Sequence, residues 1–304
     1  SLIPIGLLGS YLMSSWRDPP HSKASYLTQS IVHSLPLRTV SQLFGKISSS
    51  SVIPEWLHQI AIKGMVGLYS IDMSDYVKER IESYSTLQEF FTREIKEQSR
   101  PIDAHACIVS PVDATVQNII SINKGDALGD AIIENVKGES FRLSNFLQFS
   151  PGSISPGESR FAIIFHLSPK DYHGFHAPKN LNIRRTVHVP GKLLPVKLAA
   201  IKWLGTGVFS ANERVILDSS RCILGIVGAS FVGSISLPWE KRVSTNSAQC
   251  LSVNDYSEGY KVTKGTKLGH FEFGSCVVLV VDVLQSQECQ LRVGERVCVG
   301  QAVF

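Results

Sequence analysis

The sequence predicts an α+β protein: an N-terminal helical segment packed on a larger β-rich part, sandwich- or barrel-like in form. Three observations carry this. Up to about residue 100, apolar side chains recur near the helical period. From Cys107 onward the chain breaks into short apolar runs punctuated by Gly, Pro, Asn and Ser. No helical period intervenes between those runs, which excludes the strand–helix alternation of a doubly wound sheet. With 304 residues, 43% hydrophobic and 18% charged, the chain is long enough for a large core. The boundary falls near Arg100–His105 and separates a helical, membrane-associating segment, 1–103, from a β-rich part, 104–304. Helices this short are expected to pack on the sheet as one body.

Taken in order, Leu2–Met13 is mostly apolar but too short to span a bilayer. It fits the end of a membrane anchor, a targeting remnant or a buried segment. Pro54 opens a helix in which Trp56, Leu57, Ile60 and Leu68 make an apolar stripe. Thr86-x-x-Glu89 is a capping box for TLQEFFTREIKE, with Leu87, Phe90, Phe91 and Ile95 on the buried face. Arg100-Pro101 ends that helix. Core packing accounts for most of these side chains, and the apolar surplus in Leu2–Ile71 leaves some to face lipid. Strands are expected in CIVSPVDATV, RFAIIFHLSP, RRTVHVPG, RVILD, CILGIVGASFVGSISL and HFEFGSCVVLVVDV. Ser150–Glu158 and the polar Ser244–Glu258 read as surface loops.

The six cysteines form no C-x-x-C pair and no metal-ligand cadence, so reduced thiols are expected and no metal site. The net charge of +4 is uneven: Arg160–Trp203 holds eight basic side chains against Asp171 alone, a net +7. Such a cluster is either a solvated face or a surface for phosphate groups. Zinc-finger spacing and RNP-type aromatic motifs are both missing, so lipid phosphate is a better partner than nucleic acid.

Three stretches could hold chemistry. In Ser110-Pro111-Val112-Asp113 a carboxylate follows a Pro turn, which by itself reads as a turn-forming Asp. In HLSPKDYHGFHAP, His173 and His176 stand three apart between prolines. A metal pair there would lack nearby third and fourth ligands. Core histidines bonded to backbone carbonyls and an acid–base pair working near neutral pH both stay open. In FEFGSCVVLVVDV, Gly274-Ser275 runs straight into a Val-rich strand. Glycine weakens a strand interior and lets a reactive group come close, so the step is either a β-bulge or a self-reactive bond. A triad hydrolase often sets its serine in G-x-S-x-G on a strand–helix turn, whereas here a strand follows G-S-C-V-V. Attack of Ser275 on its own Gly274 carbonyl explains the pattern better.

Together these residues resemble the phosphatidylserine decarboxylases, pyruvoyl-dependent enzymes of phospholipid synthesis. SPVDATV resembles the family's S/P-x-D-G segment, and LSPKDYHGFHAP its L-S-P-x-D-Y-H-R-x-H-x-P segment. FSANERVIL with GASFVGSI resembles N-E-R and V-G-A-x-x-V-G-S-I, and KGTKLGHFEFGSCVVLV resembles K-G-x-E-x-G-x-F-x-x-G-S-T. LPLRTVSQLFGKI and YSTLQEFFTREIKEQSRPID extend the similarity, which runs from about Leu35 to the C-terminus.

The resemblance implies a lyase made as a zymogen. Asp113, His176 and Ser275 would form the processing triad, in which Asp113 orients and charge-stabilises His176 and His176 takes the proton of Ser275. Cleavage between Gly274 and Ser275 would give a large chain, 1–274, and a small chain, 275–304, headed by a pyruvoyl group made from Ser275. That ketone would form a Schiff base with the amine of phosphatidylserine and take up the electrons left by CO2, so that phosphatidylethanolamine results. His173 is implicated in decarboxylation, by carboxylate or phosphate contact or by reprotonation. The implied partners are phosphatidylserine, an anionic membrane surface and the second chain of the same precursor, with room for a homo-oligomer and no role for nucleic acid. The N-terminal helices resemble the mitochondrial and bacterial branch, which places the protein on the mitochondrial inner membrane, with the bacterial inner membrane or another endomembrane as alternatives.

Four positions depart from the family pattern: Ala114 for Gly, Gly174 for Arg, Lys267 for Glu and Cys276 for Thr. None removes an atom that the scheme needs, but together they bear on processing efficiency, and Gly174 removes an anion contact. Two rival expectations follow: a non-catalytic membrane-binding relative with an intact chain, and a Ser/His/Asp hydrolase.

Overall fold

The structure, a computed structural model, describes residues 36–122, 132–135, 139–194, 196, 208–229, 234–246, 250–272 and 276–304. Leu2–Met13 and Gly274-Ser275 therefore lie outside the described residues. The helices are α1 (Leu37–Ser49), α2 (Glu55–Tyr69), α3 (Leu87–Phe91), α4 (Leu143–Leu147) and α5 (Val208–Ala211). The strands are β1 (Ala114–Ile122), β2 (Ile132–Asn135), β3 (Glu139–Arg142), β4 (Glu158–His166), β5 (Gly174–His176), β6 (Leu181–Val189), β7 (Arg214–Asp218), β8 (Cys222–Val227), β9 (Ile235–Ser236), β10 (Ser252–Val262), β11 (Lys267–Phe271), β12 (Cys276–Leu284) and β13 (Arg296–Val297).

The α+β class is as the sequence predicts. Eight strands form one antiparallel sheet in the order β10-β6-β7-β8-β12-β4-β1-β13. It is open at β10 and β13, so among the described residues no barrel closes. A smaller sheet, β5-β11-β9, packs over one face through Phe175, Leu268, Phe271 and Ile235. On that face Val277, Leu279 and Val281 of β12 share a core with Ile62, Phe90 and Phe91 of the helical segment. On the other face Cys276, Val278 and Val280 meet Phe146, Leu147 and Phe209. Burial on both faces explains why β12 reads as a continuous apolar run and not as an alternation. Asp282 is tolerated there because Arg160 grips it, Nε to Oδ1 at 2.6 Å and Nη2 to Oδ2 at 2.8 Å.

Four sequence expectations are corrected. The stripe Trp56, Leu57, Ile60 and Leu68 faces outward; α2 buries His58, Ile62 and Met65 instead. His58 locks that face, with Nε2 bonded to the Ser50 carbonyl and Nδ1 accepting the Leu87 amide. The capping box at Thr86 forms, with Glu89 N–H donating to Thr86 Oγ1 at 3.1 Å, but the helix stops at Phe91 instead of running to Arg100. Residues 94–96 pair with 75–77 instead: Val77 N–H donates to the Glu94 carbonyl and Lys96 N–H to the Asp75 carbonyl. Ser244–Glu258 is not all loop, since its second half lies in β10, an edge strand paired to β6 alone. Finally, the basic stretch is no single exposed face: Arg160 is buried on Asp282 and Arg185 pairs with Asp255. Lys197 and Lys202 lie outside the described residues.

Candidate active site

Antiparallel pairing decides which chain ends meet. β1 and β12 flank β4, so both begin where β4 ends. Thr115, His166 and Cys276 consequently lie side by side across one end of the sheet. Asp113 precedes β1 by one residue, the histidine loop leaves from His166, and Cys276 follows Ser275 directly. Three motifs distant in sequence thus arrive at one place.

Backbone bonds then join the loops. His176 N–H donates to the Pro111 carbonyl at 2.8 Å, Ala177 N–H to Thr266, and Phe271 N–H to the His173 carbonyl at 2.9 Å. β5 lies against β11, with His176 opposite Lys267. The chain entering the Gly274-Ser275 step is therefore bonded to His173, and the chain leaving it is paired to His166.

Asp113 is buried, and among the described residues both of its oxygens have partners other than histidine. Arg100 holds them in a fork, Nε at 3.0 Å from each and Nη2 at 2.7 Å from Oδ2, and Val299 N–H donates to Oδ1 at 2.8 Å. Arg100 also reaches Asp75 at 3.0 Å. Asp113 still lies within electrostatic range of His176.

The His176 ring is held at both nitrogens. Nδ1 bonds the Gly265 carbonyl at 2.8 Å and Nε2 bonds the Tyr172 hydroxyl at 3.1 Å. A carbonyl only accepts, so Nδ1 carries the hydrogen and Nε2 of the neutral ring carries the lone pair. Gly265 can present its carbonyl this way because its φ of +84° is open to glycine. Burial lowers the His176 pKa, Lys267 lowers it further, and the Gly265 carbonyl, Asp113 and Glu94 oppose both.

His173 is fully buried and stands edge-on to Phe91, with centroids 5.6 Å apart. Among the described residues, neither ring nitrogen makes a hydrogen bond of good geometry. Burial, followed by the Arg93 cation, pushes its pKa down to about 3, with the Asp171 backbone opposing. The ring is thus neutral at physiological pH. Arg93 is itself buried and donates to the carbonyls of Lys170 and Asp171, which fixes the loop just before His173.

The departures now have environments. Ala114 lies in extended strand backbone, where no glycine is needed. Lys267 pairs with Glu94 at 2.6 Å. Cys276 is buried, 3.6 Å from His166 Nδ1, and burial raises its thiol pKa, so it stays protonated. The N-E-R motif belongs to structure: Asn212 bonds Leu194 and Gly228, Glu213 takes His188 and Arg38, and Arg214 donates to four backbone carbonyls. Cavities of about 420 and 300 Å³ open at Pro101–Asp103 and at Lys179–Asn182, and neither is lined by His173 or His176. Among the described residues no three His, Cys, Asp or Glu converge as metal ligands.

Sequence reasoning named Asp113, His173 and His176 and missed Arg100, Arg93 and Gly265. The signal available for Arg100 was its place in SRPID, which was read only as a helix end. For Gly265 it was a K-G-T turn opposite the histidines.

A sequence model of the phosphatidylserine decarboxylase family matches residues 87–304. The chain belongs to that family. It is 28% identical to the mitochondrial phosphatidylserine decarboxylase proenzyme of Rattus norvegicus, over 93% of this chain and 76% of that protein. It is 33% identical to the proenzyme of Marinobacter nauticus, over 81% of this chain and 85% of the relative. Identity to the proenzyme of Brevibacillus brevis is 32%, over 91% of this chain and 97% of the relative. The family match begins at α3, so it takes in the two arginines that clamp the site, Arg93 and Arg100, together with the whole sheet.

Proposed function

We propose that this chain is a phosphatidylserine decarboxylase that cleaves itself between Gly274 and Ser275 and forms phosphatidylethanolamine and CO2. The observation that carries the reading is the convergence of Asp113, His173, His176 and the start of β12 at one end of the sheet. In processing, His176 Nε2 takes the Ser275 hydroxyl proton while the Gly265 carbonyl holds the Nδ1 hydrogen. The freed oxygen attacks the Gly274 carbonyl, and an ester replaces the amide; elimination then breaks the ester and releases the Gly274 carboxylate, and hydrolysis with loss of the Ser275 nitrogen as ammonia leaves the ketone. Asp113 acts on the imidazolium by its charge, across space, because Arg100 and Val299 occupy its oxygens.

The site fits a pyruvoyl group derived from Ser275. A buried neutral imidazole whose ring nitrogens make no well-formed hydrogen bond among the described residues, His173, is bonded through its backbone to Phe271, three residues before Gly274. When formed, that group supplies an electron sink that no side chain offers. His173, held neutral, offers one N–H and one lone pair. That suits the return of a proton to carbon better than ion pairing with a carboxylate or phosphate.

A lipid substrate requires a membrane face. Leu43 and Ile47 of α1, Val52 of the turn, and Trp56, Leu57, Ile60 and Leu68 of α2 are exposed large apolar residues. We assign this surface to the bilayer interface, with the helical segment up to residue 103 as the membrane-associating layer and 104–304 as the catalytic part. Among the described residues no helix is long and apolar enough to cross a membrane. The mitochondrial inner membrane is the proposed location.

Denaturing mass analysis tests the reading. Residues 275–304 of this 33.4 kDa chain should separate as a fragment of about 3.3 kDa that bears a ketone and has no free amine. An intact chain that binds anionic vesicles would mark a non-catalytic relative. An intact chain labelled at Ser275 by a serine-directed phosphonate would mark a hydrolase.

A further inference from the structure

Between the two site histidines the chain carries a tyrosine and a glycine whose positions depend on each other. Tyr172 is buried, and its hydroxyl lies 3.1 Å from His176 Nε2, the nitrogen that carries the lone pair. Its ring leans over the backbone of Gly174. A Cβ placed on Gly174 would come within 2.1 Å of Tyr172 Oη and 2.2 Å of Cζ, far inside van der Waals contact. Gly174 has no left-handed φ, so the space, not the backbone conformation, demands glycine. This is the position where the family pattern has Arg.

We propose that Tyr172 is a positioning residue for His176, and that Gly174 is the residue that makes their contact sterically available. The inference rests on the processing role given to His176 above. With Nδ1 anchored on Gly265, a second contact at Nε2 stops the ring from turning about its Cβ–Cγ bond. A hydroxyl can serve both protonation states. It donates to the Nε2 lone pair of the resting neutral ring, turns its hydrogen away as Nε2 takes the Ser275 proton, and then accepts from Nε2–H of the imidazolium. Burial, followed by the charges of Glu94 and Asp113, raises the Tyr172 pKa, so the phenol stays protonated throughout. The bond to the charged ring is the stronger of the two, so losing the hydroxyl disfavours the imidazolium more than the neutral ring. The other charges near His176 are Lys267 on β11, Glu94 paired to it, and Asp113 with Arg100 beyond; none changes in the variants below.

The test is Tyr172→Phe in the full chain, read in two ways. 15N NMR of histidine-labelled protein follows the His176 titration, assigned with His176→Gln. Chain cleavage after in vitro synthesis is timed across pH. The expected result is a lower His176 midpoint, cleavage slowed by between about ten- and a hundredfold, and the acid limb of the rate profile moved to lower pH. Gly174→Ala should move the midpoint in the same direction, and the double variant should shift it no further than either single one. An unchanged or raised midpoint in Tyr172→Phe overturns the proposal, even if cleavage slows. Cleavage slowed equally at every pH with the midpoint fixed also overturns it, since that is the mark of a purely structural loss. Additive shifts in the double variant overturn the part assigned to Gly174. If the parent chain never cleaves, the proposed function fails, while the titration still decides whether Tyr172 governs His176.

Discussion

Buried Asp113 is gripped by Arg100, which supplies a planar fork matched to its two oxygens. Arg100→Gln would leave a buried carboxylate without its cation, so it should cost about 3–5 kcal/mol in urea unfolding and slow cleavage. Arg100→Lys restores charge without the fork and should recover only part of the stability. His173 and Asp171 make an opposed pair. His173 is held at about 3, so the unfolded chain takes up its proton first. Its contribution to stability is complete above the ordinary value of roughly 6.5 and is lost as pH falls toward 3. Asp171 is raised by burial to about 6, so between roughly 3.9 and 6 the folded chain holds a proton that the unfolded chain has released. Its contribution therefore grows on acidification across that window. Asp171→Asn should remove the opposing slope, and unfolding free energy should then fall on acidification between about pH 4 and 6 by up to ~1.4 kcal/mol per unit more than in the parent. At this scale the sequence showed which groups could react. It did not show that Arg100 and Val299 would take the oxygens of Asp113, because those partners come from other elements.

Elements were legible where their signal is local. The Thr86 capping box formed as read, since it needs only residues three apart. The end of α3 was not legible, because the pairing of 94–96 with 75–77 removes those residues from the helix. The polar edge strand β10 was missed for a related reason: one neighbour and an alternately exposed face leave little apolar signal. Helix α2 shows the same limit. Its apolar residues surround most of the helix, and only packing chose 58, 62 and 65 as the inner face. Trp56→Glu with Ile60→Glu should abolish binding to anionic vesicles in a sedimentation assay. The unfolding midpoint should barely change, since exposed substitutions usually fall within about 0.5 kcal/mol. Loss of fold instead of loss of binding would mean that this face packs inside the protein.

Across the whole molecule, β12 is the element through which the two proposed chains stay one body. It lies between β8 and β4 with both faces buried, so a break just before it severs no strand pairing among the described residues. The cleaved protein should elute from gel filtration at the size of the intact chain and release the small chain only in denaturant. Ser275→Ala should give a single 33.4 kDa band under denaturing conditions and no decarboxylase activity. By itself, the sequence determined the α+β class, the apolar runs that become β1, β4, β6, β7, β8 and β12, the candidate residue types and the family, because periodicity and short motifs are written within a few residues of chain. The tertiary structure decided which apolar face looks outward, that Arg100 and not His176 grips Asp113, and that Gly265 and Tyr172 hold the imidazole. Those choices are made where separate elements pack together, as β5 on β11 brings His176 to Gly265 across 89 residues of chain, and no local pattern records which elements will meet.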